Sequence, residues 1–182
     1  MGIFFYIFVS YLLFASCEND IDVINNITSV KELPNLAATD IEIRYTDSAK
    51  LQVKMEAPEI EQYTSVDEPY IEFPKGIHVK FFDSLARVES EISSRYAIYY
   101  QENDLWEARQ NVVAKNVQTG EQLNTELLYW DEKKGTVYSD KFTRITNDEG
   151  VFYGEHGFEA DQTLSRWKLI GSKGTVNIED EE

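Results

Sequence analysis

A single cysteine, Cys17, stands in 182 residues, so no internal disulfide can hold the fold. The two histidines, His78 and His156, have neither a cysteine partner nor a His-x-x-x-His spacing, and no zinc or other metal site is expected. Positive charge is scarce. Seventeen Lys and Arg stand against 33 Asp and Glu, for a net charge of −16. That balance excludes nucleic acid as a partner, because affinity for it comes from cations on phosphates. It also makes an anionic membrane surface repulsive unless a lipid anchor or a divalent cation intervenes. There is no glycine-rich phosphate loop and no G-x-S-x-G nucleophile turn. Glu89 with Glu91, or Glu155 with Glu159, could be written as a carboxylate pair for sugar cleavage. Among 33 acidic residues such pairs arise by chance, so no catalytic residue and no cofactor are expected. Long apolar runs are missing too. The run from Ile3 to Phe14, broken only by Ser10, is shorter than the roughly 20 residues that cross a bilayer.

That run is followed at once by Ala15-Ser16-Cys17. A short apolar stretch, two small residues and a cysteine is the order of a bacterial lipoprotein signal. Residues 1–16 are therefore expected to be a signal peptide, cleaved before Cys17, whose thiol would carry lipid. The absence of Lys and Arg from the leader, and Phe14 where Leu is usual, leave an uncleaved anchor as the other reading. Either way the domain is expected outside the cytoplasm and on a membrane. Residues 17–38, rich in Asn and Asp, read as a flexible tether. Residues 39–178 read as one domain and residues 179–182 as a solvated acidic tail.

What the chain does have is aromatics: ten Phe, eleven Tyr and three Trp, with only four Pro. This composition favours strands. From Thr39 the apolar period is two. Ile41, Ile43 and Tyr45, then Leu51, Val53, Met55 and Ala57, then Ile77, Val79 and Phe81 alternate with polar residues. Asp47-Ser48 is a turn, Pro58, Pro69, Pro74 and Gly76 punctuate the region, and residues 60–65 suit a short helix or loop. Further strands are expected at 94–101, 105–117, 122–130, 136–139, 142–146, 151–160, 166–170 and 175–178. No α/β alternation is present, so a parallel sheet is excluded. The segment from Gly120 to Asp131 can be laid on that from Gly150 to Asp161, a spacing of about thirty residues, with a weaker copy around Tyr96 to Trp106. A strand unit that repeats without burying its own face stacks into a layered β-structure with open edges.

Four runs carry a family resemblance: Thr125-Glu-Leu-Leu-Tyr-Trp-Asp131, Val137-Tyr-Ser-Asp140, Gly154-Glu-His-Gly-Phe-Glu-Ala-Asp161, and Trp167 with Gly174. In order and spacing they resemble the LptC family, over roughly Leu36 to Ile178. The resemblance implies an open β-jellyroll of antiparallel strands. It implies a periplasmic, inner-membrane-anchored protein that accepts lipopolysaccharide from an ATP-driven ABC transporter and passes it to the next jellyroll of a bridge, docked strand edge to strand edge. By this resemblance Gly157 and Gly154 correspond to the family's glycine motif, which is one residue longer here. A lipid anchor at Cys17 would replace the family's usual transmembrane helix. An apolar groove is needed for acyl chains in water, at about 0.8 kcal/mol for each methylene kept dry. The inward phase offers Ile77, Val79, Phe81, Leu128, Trp130, Phe152, Phe158, Trp167 and Leu169 for it, and the same residues would serve as ordinary sandwich core. The alternative function is an envelope lipoprotein that binds carbohydrate or protein through exposed aromatics. A hydrolase lacks a focused acid-base site.

Overall fold

Alternating apolar and polar side chains fold residues 33–176, the part that this computed structural model describes, into fourteen antiparallel strands with no helix among them. They are β1 (Leu36–Asp47), β2 (Lys50–Tyr63), β3 (Tyr70–Phe73), β4 (Ile77–Phe82), β5 (Val88–Ser94), β6 (Tyr96–Tyr100), β7 (Leu105–Asn116), β8 (Gln122–Asp131), β9 (Thr136–Ser139), β10 (Thr143–Asn147), β11 (Gly150–Gly154), β12 (Phe158–Asp161), β13 (Trp167–Leu169) and β14 (Ser172–Val176). The all-β, jellyroll-like architecture expected from the alternation is the one adopted. The leader 1–16, Cys17, the tether as far as residue 32 and the acidic tail 179–182 lie outside the described residues.

The strands make one sheet folded along a line into two layers. β4, β5, β10, β11 and β14 belong to the first layer, and β3, β6, β9, β12 and β13 to the second. β1, β2, β7 and β8 run through both, as their registers show. Residues 53–56 of β2 pair with β4, and residues 61–63 pair with β3. Residues 105–109 of β7 pair with β6, and residues 113–116 pair with β5. Residues 122–125 of β8 pair with β10, and residues 129–131 pair with β9. Each pass of the meander therefore crosses the fold line, and the hairpin turns collect at two lips opposite it.

A crossing requires a bend, and the residues on the fold line supply it. Pro58 sits where β2 leaves β4 and has not yet met β3, so its missing N–H takes no bond from either ladder. Opposite it, Asp40 has φ 53°, and the β1–β2 ladder passes from Thr39↔Glu59 to Ile41↔Ala57 without pairing Asp40 to Pro58. Gln110 and Asn111 form a bulge in β7 with φ 64° and 56°. Between β11 and β12 the bend is at residues 155–157, where Gly157 has φ 104°. The inner faces of the two layers meet in one core that includes Met55, Phe73, Val79, Ile92, Ala108, Leu123, Leu128, Val137, Ile145 and Phe158.

Several expectations are corrected. Residues 60–63 continue β2 instead of forming a helix or loop, because Ile60 packs on the core and Tyr63 stacks on Tyr70 at 4.7 Å. The single strand expected at 151–160 is two, β11 and β12, one in each layer. β3 and β5 were not foreseen, the one for shortness and the other for its polar run VESEISS. β1 begins at Leu36. The repeat is real in the fold, since Gly120 to Asp131 and Gly150 to Asp161 both run from a lip turn through the first layer into the second. The equivalent earlier pass starts in β5, ahead of Tyr96.

Candidate functional site

Antiparallel register lines up side chains into rows across the strands, and the inner rows decide what the space between the layers can hold. In the second layer one row reads Ile71, Tyr99, Trp106, Trp130, Val137, Ala160 and Trp167. Its aromatics stack along the row, Tyr99 on Trp106 at 4.6 Å and Trp106 on Trp130 at 6.2 Å. In the first layer the facing row reads Ile43, Met55, Val79, Ile92, Ala114, Leu123, Ile145 and Phe152. Phe81 joins the layers by meeting Trp130 edge-on at 5.4 Å.

The layers do not close along their whole length. Between β1, β2 and β4 on one side and Trp106, Trp130 and the turn at residues 162–163 on the other lies a groove of about 710 Å³. Ile43, Tyr45, Val53, Met55, Phe81, Trp106 and Trp130 make its apolar wall. That volume is within the roughly 300–1,000 Å³ of ordinary ligand clefts. A void of about 20 Å³ among Val79, Ile92, Ala97, Leu128 and the groove's own Met55, Phe81, Trp106 and Trp130 carries the apolar surface on into the core. Toward the last strands the lips are tied together. Asn116 Nδ2 donates to the Thr163 carbonyl at 3.4 Å, and Trp167 Nε1 donates to Glu121 Oε1 at 2.6 Å.

The groove mouth is acidic. Asp47, Glu89 and Glu132 line it, with Gln52, Gln162 and Thr163. Trp106 Nε1 donates to Glu132 Oε1 at 2.6 Å. Burial pushes the Glu132 carboxyl up, the indole bond opposes that, and the Asp104 charge adds to it. Burial and a bond to Asp104 raise the Tyr99 phenol to about 12, so it is a neutral donor at physiological pH.

Every residue proposed for the groove faces inward, but the structure sorts them. Phe81 and Trp130 line the open groove. Ile77, Val79, Leu128 and Phe158 are buried in the core, Phe158 with no exposed surface. Phe152, Trp167 and Leu169 are half-buried at the tied end, Phe152 and Trp167 with their rings 5.9 Å apart. Sequence reasoning left Trp106, Met55, Val53, Ile43 and Tyr45 out of the groove, although four of these had the right alternation. Along 127–130, Leu128 and Trp130 point in, while Tyr129 points out and stacks on Tyr138 at 5.2 Å. Gly154 and Gly157 both serve the bend. A Cβ on Gly157 would lie 1.8 Å from the Ser139 carbonyl oxygen, and one on Gly154 2.2 Å from the Gly157 oxygen. His78 lies on the outer face between Glu56 and Glu91, and His156 lies in the bend. Asp131 and Asp161 accept from the backbone N–H of Lys134 and Ser165 in their turns.

A search of known families matches residues 4–177 to the model described as lipopolysaccharide-assembly, LptC-related. The match covers nearly the whole chain, and the chain belongs to this family. No curated protein matches it. Membership carries a role in lipopolysaccharide transport in the periplasm, in association with the inner membrane, by a protein that is not an enzyme. It does not favour a carbohydrate- or protein-binding lipoprotein.

Proposed function

We propose that this chain accepts lipopolysaccharide from an inner-membrane ATP-driven ABC transporter, holds acyl chains in the groove between its layers, and passes the lipid to the next periplasmic jellyroll. The observation that carries the reading is the groove itself. An apolar trough walled by Trp106, Trp130, Phe81 and Met55 opens along one side of a folded sheet. Aromatic side chains give such a wall large apolar area at small entropic cost. Two further features support a bridge. β1 is paired on one side only, by β2, among the described residues. At the other end of the sheet, among the described residues, β13 and β14 pair only with β12 and β11. A further jellyroll could add its own edge at either place, so that the two grooves run on.

A photoreactive side chain at Trp106 or Trp130 is expected to give ultraviolet-dependent, ATP-dependent adducts with lipopolysaccharide in cells. The same group at Tyr138, on the outer face, is expected to give none. Absence of lipid adducts at both tryptophans in a folded, exported chain would remove the groove from the transport path.

Cys17 is proposed to be the lipidated residue that anchors the domain, on the strength of the apolar run and small residues before it. Cys17→Ala is then expected to move most of the protein from the membrane to the soluble fraction. A single acyl group binds only marginally and dual acylation binds stably, so loss of the anchor should be plain on fractionation. Equal membrane retention of the variant would show that something else holds the chain there.

A further inference from the structure

The turn between β12 and β13 holds a side chain that its backbone does not favour. Leu164 has φ 58°, a left-handed conformation that turns ordinarily give to Gly or Asn and that a bulky side chain resists. A leucine in a lip turn would also be expected in water. Leu164 is instead 4 % exposed and belongs to the core cluster. Strained backbone of this kind persists only where its surroundings hold it. Here the seating of the leucyl side chain in the core is what the strain accompanies.

The turn stands at the boundary of the groove. Gln162 and Thr163, just before Leu164, line the open part. Trp167, just after the turn, packs beside Phe152 of β11 at the tied end. The turn starts from the second layer and reaches the first-layer lip at residues 116–121, through the bonds of Asn116 to the Thr163 carbonyl and of Trp167 to Glu121. The groove is thus open beside β1, β2, β4 and β5 and shut where β7 turns into β8.

The bonds of the turn divide unevenly. Within it, Asp161 Oδ1 accepts from the Ser165 N–H and from the Thr163 hydroxyl, both at 2.9 Å, and Asp161 Oδ2 accepts from the Ser165 hydroxyl at 2.8 Å. The Leu164 N–H donates to the Asp161 carbonyl at 3.0 Å. Across to the first-layer lip, among the described residues, run only the two side-chain bonds from Asn116 and Trp167. β13 is three residues long and, among the described residues, pairs only with β12. Local opening is drawn from elements with few partners, so this turn can lift as one body while the ladders behind it stay formed.

We propose that residues 162–166 are a gate with Leu164 as its plug, an inference that rests on the reading that the groove carries acyl chains. Closed, the gate ends the groove at the β7–β8 lip. An acyl chain that runs on toward β11 and β14 displaces Leu164 and breaks the bonds to Asn116 and Glu121. The lifted turn keeps its own shape through Asp161.

The test places a photoreactive side chain at Trp130, in the groove, or at Phe152, behind the gate, in the full-length chain in cells. In the native chain, lipopolysaccharide adducts at Phe152 are expected at no more than about a third of the yield at Trp130, because position 152 meets lipid only in the open fraction. Leu164→Gly removes the plug and suits the backbone. It is expected to raise adducts at Phe152 at least about threefold and to leave those at Trp130 within about twofold. Glu121→Ala removes the acceptor of the Trp167 indole from a residue outside the core, so it tests the gate without a core substitution. It is expected to raise adducts at Phe152 about twofold. A rise at Phe152 in either variant, with Trp130 unchanged, bears the gate out. Equal yields at the two positions in the native chain, or an unchanged ratio in both variants, would overturn the gate and leave the groove reading intact. Adducts at neither position would overturn the groove reading, and the gate with it.

Discussion

Gly157→Ala is expected to cost about 3–5 kcal/mol of unfolding free energy, in the range of the severe point mutations. Two independent causes act together. Gly157 has φ 104°, a conformation that a residue with a Cβ resists. The added Cβ would also lie 1.8 Å from the Ser139 carbonyl oxygen, and that atom belongs to β9, whose Ser139 pairs with Phe158 directly after the bend. A flexible side chain could swing away, but a carbonyl in a ladder cannot move without breaking the β9–β12 pairing. Gly120→Ala is the control. Gly120 also has positive φ, 75°, but nothing lies within 4 Å of its Cβ position. Its cost should stay near the 1–2 kcal/mol of an unfavourable backbone conformation alone. Urea unfolding followed by tryptophan fluorescence separates the two. Equal losses would mean that the bend shifts freely and does not hold the layers at a set distance.

The second large effect contrasts the sealed core with the open groove. Leu128 is 2 % exposed, pairs with Ala108 in the second layer and borders the small void that adjoins the groove. Leu128→Asp is expected to remove about 4 kcal/mol or more, because it adds an unpaired buried charge to the loss of apolar packing. Ile43 lines the groove but is 42 % exposed, on an edge strand. Ile43→Asp is expected to change stability by about 1 kcal/mol or less, as exposed substitutions generally do. It should nonetheless cut lipopolysaccharide adducts from Trp130 severalfold, since it places charge where acyl chains would lie. Measuring stability and adduct yield on both variants distinguishes wall from core. If Ile43→Asp leaves adducts unchanged, the lipid does not use the β1 side of the groove.

Much of this was legible before any coordinates. The phase of Ile41–Ile43–Tyr45, Val53–Met55–Ala57 and Ile77–Val79–Phe81 gave the inner face correctly, because side-chain alternation is a local property of an extended chain. Turn residues marked a lip for the same reason: Asp47-Ser48, for example, lies at the turn that joins β1 to β2. The runs ending at Asp131 and Asp161 carried the family.

The sequence by itself determined the all-β class, the inward phase of the strands, the hairpin turns and the family, since each depends on residues close together in the chain. The tertiary structure alone decided where the sheet folds and where it stays open. Pro58 reads as a strand breaker until its N–H is seen to fall between two partners. The run from Val151 to Ala160 reads as one strand until its halves pair in different layers. Phe158 and Trp130 share a phase and an apolar character. One is sealed and the other lines a groove, because layer separation is set by distant bends and by lip ties such as that of Trp167 to Glu121. Burial against a neighbour far along the chain has no local signature.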